Sequence, residues 1–238
     1  MTDEKKPWET STGETPAWMG GRGLDSDMTR EASGKKSSTL RFWMKKGEER
    51  NVVFVTDSNT SPLVHEHQVR LGGSWQNHFT CLEPLGIPCP LCKWANENDG
   101  QYRRYKAQFF TIIDLTEFTD RSGKVRKNER RLLVAKKDTT EILKRKYLAR
   151  LEADQSLKGA KFKIYRTNSD KSAAVGTDYE FIGMTRLEEY PEHGEFDFAE
   201  VLKPNPEAVE AAVRRLASEA GVEAGVGAEE GTDTKVSY

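Results

Sequence analysis

The stretch AQFFTIIDLTEF, residues Ala107–Phe118, decides the fold class of this chain. It is long, and it is rich in the β-branched and aromatic side chains that favour a pleated sheet. The DRSG tetrapeptide at Asp120–Gly123 is typical of a turn, and Val125–Lys137 is predicted to be the return strand of a hairpin. The sequence therefore predicts a sheet built around this hairpin.

Other segments predict the rest of that sheet. Further strands, all β-branched or alternating in polarity, are predicted at Arg50–Val55, Leu63–Leu71, Ala160–Thr167 and Asp178–Leu187. One helix is predicted between strands, with Asp138 as its N-cap and Glu141 three residues later. A second is predicted after Asn205 and Pro206, ending at Gly221. Short strands with so few helices predict a mainly β fold, an OB-fold-like small barrel.

Composition predicts an ordered middle and less ordered ends. Of the 238 residues, 32% are charged and 36% hydrophobic, which is polar for a single compact domain. We expect a flexible N-terminal arm at 1–39, the barrel domain at 40–190, an acidic segment with the C-terminal helix at 191–221 and a disordered tail at 222–238. The chain has no apolar run of spanning length and no apolar signal core at its start, so a cytoplasmic protein is expected.

Charge is divided along the chain. Residues 41–166 carry 25 Lys/Arg and 15 Asp/Glu, a net charge of +10, whereas residues 167–238 carry 6 and 16, a net charge of −10. A basic block of this kind favours a polyanionic partner, although a solvated lysine-rich surface has the same pattern.

All three cysteines lie in one stretch, HFTCLEPLGIPCPLCKW, at His78–Trp94. The spacing Cys81-x7-Cys89-x2-Cys92 lets three thiolates reach one tetrahedral ion, with His65, His67 or His78 as the fourth ligand. This predicts an inserted zinc-binding loop, about residues 63–100, that holds one structural Zn²⁺ ion. No metalloprotease, deaminase or P-loop motif accompanies it, so we expect no enzymatic activity.

Aromatic and basic residues are interleaved after this loop and in three other places. Single-stranded nucleic acid is bound by cations along its phosphates and by rings that stack on its bases. The candidate phosphate contacts are Arg103, Arg104, Lys106, Arg130, Arg131 and Lys163. The candidate rings are Trp43, Tyr102, Tyr105, Phe109, Phe110 and Tyr165. Only one of the adjacent Phe109 and Phe110 can point outward from a strand, and Trp43, Tyr102 and Tyr105 are the better candidates for exposure.

The order EHQV, GGSW, FTC and CPLC, followed by KAQFFTII, resembles phage single-stranded DNA-binding (helix-destabilising) proteins of the T-even type. The resemblance covers roughly residues 41–190. It implies an OB-fold with a zinc subdomain of one His and three Cys, and it favours His67 over His78 as the zinc ligand. It also places paired binding aromatics at Phe109 and Phe110 and a further one at Phe162.

Together these patterns predict a protein that coats single-stranded DNA without sequence preference in phage replication, recombination and repair. Replication or recombination proteins are expected to bind its acidic C-terminal portion, and self-association on DNA is expected from the resemblance. The alternative is a zinc-containing RNA-binding or transcription accessory protein.

Overall fold

The computed structural model describes residues 19–22, 41–119, 123, 125–151, 156–191 and 193–221. The predicted tail 222–238 lies outside the described residues, as does the predicted arm 1–39 apart from residues 19–22.

Ten strands and four α-helices make up the described part of the chain. The strands are β1 (Met19–Arg22), β2 (Glu49–Phe54), β3 (Pro62–Leu71), β4 (Ser74–Thr80), β5 (Tyr105–Asp114), β6 (Phe118–Thr119), β7 (Val125–Arg126), β8 (Glu129–Ala135), β9 (Ala160–Tyr165) and β10 (Asp178–Met184). The helices are α1 (Pro90–Glu97), α2 (Lys137–Leu151), α3 (Phe198–Val201) and α4 (Pro206–Glu219), and short 3-10 helices lie at Glu83–Leu85 and Leu187–Glu189.

Strand β5 organises the sheet. One of its edges pairs first with β3 and then with β2, and its other edge pairs with β8, all antiparallel. Beyond these neighbours, β2 pairs with β9 and β9 with β10, while β3 pairs with β1 and β4. The predicted mainly β fold with a His/Cys insertion is confirmed. The sheet is OB-like but does not close into a barrel, because β1 and β10 end the hydrogen-bonded order of the described strands.

Both faces of β5 are covered. On one face, Phe110 packs with Phe54, Phe162, Tyr179 and Leu143 of α2 in a cluster that we call the strand core. On the other face, Phe109 packs in a second cluster that contains Phe196, Phe198 and Leu202. A strand buried on both faces has a nearly continuous apolar sequence, which is what Ala107–Phe118 has.

The hairpin and the two predicted helices are present, with shifted boundaries. β5 and β8 pair from Gln108 to Asp114, and the small β6–β7 ribbon lies between them. Helix α2 begins at Lys137, so Asp138 lies in its first turn and is not its N-cap. Helix α4 agrees with the prediction, because the Asn205 side chain accepts a hydrogen bond from the Ala208 N–H at 2.9 Å.

Strands β1 and β4 and helices α1 and α3 are among the elements that were not predicted. Strand β1 lies inside the expected flexible arm, where Met19 is 6% exposed and pairs with Val64. β4 follows β3 through Gly72 and Gly73, whose φ values of 56° and 75° suit a two-residue hairpin turn. Helix α1 follows the second cysteine of the cluster.

Candidate metal centre and the basic aromatic residues

The β3–β4 hairpin positions the histidine of the cluster. His67 lies on β3 opposite Phe79 of β4, and its side chain is fully buried. The tight Gly72–Gly73 turn fixes the register of the two strands, so the chain leaves β4 beside His67. There the Cys81 N–H donates a hydrogen bond to the His65 carbonyl at 2.9 Å.

The other two cysteines are positioned by the start of α1. Cys89 is the N-cap residue, Pro90 is the first helical residue and Cys92 lies in the first turn. Proline suits this position because its fixed φ is helical and its missing N–H would have no partner there. The chain reaches α1 through Gly86, which has a φ of 72° and ends the preceding 3-10 helix. The C-x-x-C spacing thus brings two sulfurs to the same side of one helical turn.

The four side chains converge on one point. The imidazole of His67 and the sulfurs of Cys81, Cys89 and Cys92 offer ligand atoms that all lie within 4.8 Å of one another. The Cys81 and Cys92 sulfurs are 3.6 Å apart, and His67 Nε2 lies 3.5 Å from the sulfurs of both Cys89 and Cys92. A disulfide requires an S–S distance of about 2.05 Å, so these are separate thiols.

These distances match tetrahedral coordination. Bonds of about 2.3 Å to sulfur and about 2.0 Å to nitrogen place tetrahedral ligands roughly 3.8 Å apart for two sulfurs and roughly 3.5 Å for sulfur and nitrogen. The four residues therefore fit a metal ion, and four protein ligands leave no open coordination position for catalysis. The set predicted from the sequence is the one that the fold brings together.

The second nitrogen of His67 has its own partner. His67 Nδ1 lies 2.9 Å from the Tyr102 carbonyl oxygen, so an Nδ1–H donates to that oxygen and the Nε2 lone pair is directed at the sulfurs. Tyr102 has a φ of 60°, a left-handed conformation that non-glycine residues seldom adopt. Near Cys81, Arg104 Nη1 lies 3.9 Å from the sulfur and pairs with the Glu83 carboxylate. The Tyr102 carbonyl thus orients the histidine ligand, and the Arg104 guanidinium lies beside a cysteine sulfur. Both contacts suit a site that binds a metal ion.

The cluster holds its protons unevenly, because hydrogen bonds with Cys81 and Cys89 raise the pKa of Cys92. Hydrogen bonds with Cys81 and Cys92 lower the pKa of Cys89. Burial lowers the pKa of His67, but hydrogen bonds and charge from Cys81 and Cys89 outweigh it and raise that pKa to about 10. Thiolate is the form of cysteine that binds metal, and an incoming ion would displace the remaining protons.

His65 and His78 do not join the cluster. His78 points towards Glu66, with its Nδ1 3.9 Å from a carboxylate oxygen, and His65 contributes a backbone carbonyl. His67 is therefore the histidine that the described structure places with the three cysteines, in agreement with the preferred prediction.

The C-terminal helix packs against this centre. Val209, Ala212 and Leu216 of α4 form one apolar cluster with Leu91 of α1 and the buried cysteines. The Glu219 carboxylate accepts a hydrogen bond from the Gly72 N–H at 3.0 Å, which ties the end of α4 to the hairpin turn. We call residues 63–102 together with α4 the metal region. The segment predicted as a separate acidic end thus supplies part of the packing around the metal centre.

Four of the side chains predicted to stack on bases are instead buried. Phe109, Phe110 and Phe162 are fully buried and Tyr105 is 2% exposed, so none offers a face to a base. Neither of the paired phenylalanines points to solvent, because residues 196–202 cover the second face of β5. The Tyr105 hydroxyl instead donates to the Glu66 carboxylate at 2.6 Å.

The remaining rings are accessible. Trp43 is 54% exposed, Tyr165 is 37% exposed and Tyr102 is half-buried. Trp43 lies between the buried Phe42 and Met44, so its ring points away from the strand core. Hydrogen bonds from the Met44 N–H to the Ala174 carbonyl and from the Gly47 N–H to the Arg166 carbonyl hold this segment beside the end of β9, where Tyr165 lies.

Several predicted phosphate contacts are already engaged within the protein. Arg130 donates to the Gly194 carbonyl at 3.1 Å and lies over the Phe196 ring, and Arg131 pairs with Glu129. Arg104 pairs with Glu83 beside the Cys81 sulfur. Lys163 pairs with Glu49 at 2.8 Å in an exposed ion pair, Lys106 is half-buried, and Arg103 is exposed.

Two features of the site, the exposed Trp75 and the buried Glu66, were not predicted from the sequence. Trp75 is 52% exposed and stands on β4, which was not predicted as a strand. Glu66 is 2% exposed and holds both Arg41 and Tyr105. The Gly-Gly pair flanked by Leu71 and Ser74 was a hairpin signal that could have identified β4 and the position of Trp75.

Comparison with protein-family models, curated proteins and solved structures finds no match for this chain. Within the described residues, no helix has both the length and the apolar character needed to cross a membrane. Fold and site define the chain as a mainly β protein with a buried His/Cys₃ cluster that could hold a metal ion.

Proposed function

We propose that this protein binds single-stranded DNA without sequence preference and coats it in phage replication, recombination and repair. The observation that carries the proposal is that the exposed Trp43 and Lys45 lie on a segment hydrogen-bonded to the end of β9, through Gly47 and Arg166, and that Lys163 and the exposed Tyr165 lie on that strand. We call these four residues the Trp43 surface. It combines two exposed rings with lysines on the basic part of the chain. Rings of this kind stack on any base, and lysines contact the phosphates, so the combination suits single strands of any sequence.

The ion pair on this surface does not oppose DNA binding. Lys163 and Glu49 are 40% and 54% exposed, and water and salt screen such surface pairs so that they contribute little to stability. A phosphate can therefore replace Glu49 as the partner of Lys163 at little free-energy cost. The net charge of +10 over residues 41–166 favours the same polyanion and predicts an affinity that falls steeply with salt.

We assign one structural Zn²⁺ ion to His67, Cys81, Cys89 and Cys92. The Cys₃His set and the S···S and S···N distances of 3.6 and 3.5 Å support this assignment. The ion would order the metal region and perform no chemistry, since all four positions are filled by the protein. The protein would accordingly not be an enzyme. Replication or recombination proteins would bind its acidic C-terminal portion, and copies would associate along DNA.

The test is a fluorescence anisotropy titration of zinc-loaded protein with labelled oligo-dT, the matching duplex and oligo-U at two salt concentrations. The proposal predicts strong preference for oligo-dT over duplex and a steep salt dependence. Preference for oligo-U would favour the alternative, an RNA-binding or transcription accessory protein. Equal, weak binding to all three would contradict both.

Two variants sharpen this titration. Trp43→Ala is expected to weaken oligo-dT binding by roughly 5- to 100-fold, because a stacked base contributes about 1–3 kcal/mol. Val125→Ala is the matched control, since Val125 is 59% exposed and lies on the β6–β7 ribbon, outside the Trp43 surface. Equal losses of oligo-dT affinity in the two variants would contradict a role of the Trp43 surface in DNA binding.

A further inference from the structure

A pair of rings, the exposed Trp75 and the half-buried Tyr102, lies on the metal region. Trp75 of β4 and Tyr102 stand with their ring centroids 6.0 Å apart and their planes at 66°, an edge-to-face arrangement. More than half of Trp75 is exposed, which is unusual for the largest aromatic side chain. Its ring therefore offers a free face beside a second ring that fixes its orientation.

Tyr102 connects this pair to the metal ligands. Its carbonyl oxygen accepts the hydrogen bond from His67 Nδ1 at 2.9 Å, and its backbone is held at a φ of 60°. His67 can direct Nε2 to a metal ion only while Nδ1 keeps its proton, and the Tyr102 carbonyl stabilises that arrangement. The same contact works in reverse: a His67 ring fixed by the metal holds the Tyr102 backbone, and so its ring, in place.

Trp75 is fixed to the same strand pair. Its carbonyl oxygen accepts a hydrogen bond from Gln68 Nε2 at 2.7 Å, and Gln68 is the neighbour of His67 on β3. Both rings thus rest on backbone that contacts His67 or the residue next to it. Movement of β3 at His67 would separate the two rings.

Cations lie beside the rings. Arg70 donates from Nε to the Gly73 carbonyl at 3.4 Å at the hairpin turn, and the charge of Arg70 also acts on the Tyr102 hydroxyl. Arg103 follows Tyr102 and is exposed. An exposed indole on a hairpin whose turn carries a guanidinium group has the chemistry that binds a base and its phosphate.

We propose that Trp75, supported by Tyr102, stacks a base of the bound single strand, and that a metal ion on His67 sets the position of this ring pair. The inference rests on the proposed function and extends it to a second stacking site on the metal region. It makes Trp75 a contact residue and Tyr102 a positioning residue. Metal then acts on DNA affinity through one identified hydrogen bond.

The test compares wild type, Trp75→Ala, Trp75→Phe and Trp43→Ala, each zinc-loaded and zinc-stripped, by oligo-dT titration. In loaded protein, Trp75→Ala should weaken binding about tenfold, and Trp75→Phe should keep most of the affinity because a ring remains. Stripping should weaken wild type by a similar factor and Trp75→Ala by much less. Trp43→Ala is the matched control and should stay as sensitive to stripping as wild type.

A second readout is tryptophan emission. The quenching caused by oligo-dT in zinc-loaded wild type, minus the quenching in zinc-loaded Trp75→Phe, gives the contribution of Trp75 and should be clearly positive.

Unchanged affinity in Trp75→Ala, or no such quenching, would overturn the stacking role. Independent effects of stripping and Trp75→Ala would overturn the metal link, as would a global loss of far-ultraviolet circular dichroism on stripping. If the wild-type protein fails to bind oligo-dT, the proposed function is wrong. If the wild-type protein binds oligo-dT and Trp75→Ala binds it as tightly, only the proposed role of Trp75 is wrong.

Discussion

The strand core and the metal region are stabilised by different means. In the strand core, Phe54 meets Phe110 and Phe162 edge to face at 5.6 and 5.4 Å, among fully buried side chains from five strands and α2. The metal region has the β3–β4 hairpin, the eight-residue α1 and the fourteen-residue α4, packed around a smaller apolar cluster that includes the cysteines themselves. Regions that bury so little apolar surface usually need a metal or a disulfide. We therefore expect a bound metal ion to contribute to the stability of the metal region and not to that of the strand core.

The largest effect is expected from breaking the metal centre. Cys89→Ser removes one of four ligands and should lower the affinity for zinc and the melting temperature by roughly 10 °C or more, because structural zinc contributes several kcal/mol. Differential scanning calorimetry with metal analysis measures both. His78→Ala is the control and should retain one zinc per chain, because His78 faces Glu66 instead of the cluster. Zinc loss in His78→Ala with retention in Cys89→Ser would refute the ligand set.

A cavity in the strand core should destabilise without affecting metal. Phe162 is fully buried among Phe54, Tyr179 and Phe181, so Phe162→Ala should lower the free energy of unfolding by about 3–5 kcal/mol. Urea denaturation measures the loss, and zinc content should remain at one per chain. If Phe162→Ala releases zinc from folded protein, the two regions are not independent.

A buried ion pair links the metal region to the second cluster, on the Phe109 face of β5. Glu66 precedes His67 on β3 and accepts from Arg41 Nη2 at 2.6 Å and from the Tyr105 hydroxyl at 2.6 Å. Glu66→Gln leaves the Arg41 charge without its counter-ion and should destabilise by about 2–3 kcal/mol. Glu49→Gln is the control, and should change stability by less than about 1 kcal/mol because Glu49 is exposed. Similar values for the two variants would contradict this account of Glu66.

The smallest expected effect is at the cap of α4. Asn205→Ala removes the side-chain oxygen that accepts from the Ala208 N–H, which should lower stability by about 1 kcal/mol. Because α4 packs against α1 and the buried cysteines, hydrogen exchange should increase in α4 and in α1 more than in β5 or β9. An increase confined to α4 would mean that the helix does not support the metal centre.

How much the sequence predicts differs between the two regions. Cysteine spacing predicted the ligands well because coordination depends on only a few atoms at fixed separations, and the apolar run at Ala107–Phe118 predicted β5. Exposure of rings was harder to predict. Phe109 is buried by Phe196 and Phe198, which are distant in sequence, and no pattern local to β5 reveals that cover. The alternation of charge and rings around Tyr105 also suggested exposure, whereas the Glu66 hydrogen bond keeps that tyrosine inside.

Hydrogen exchange with and without zinc tests the central claim most directly. We expect removal of zinc to raise hydrogen exchange in β3 from His67 onward and in β4, α1 and α4, while β2, β5 and β9 keep their protection. A uniform rise across the sheet, or no change in the metal region, would contradict the claim that one bound ion stabilises this region while the strand core stands without it.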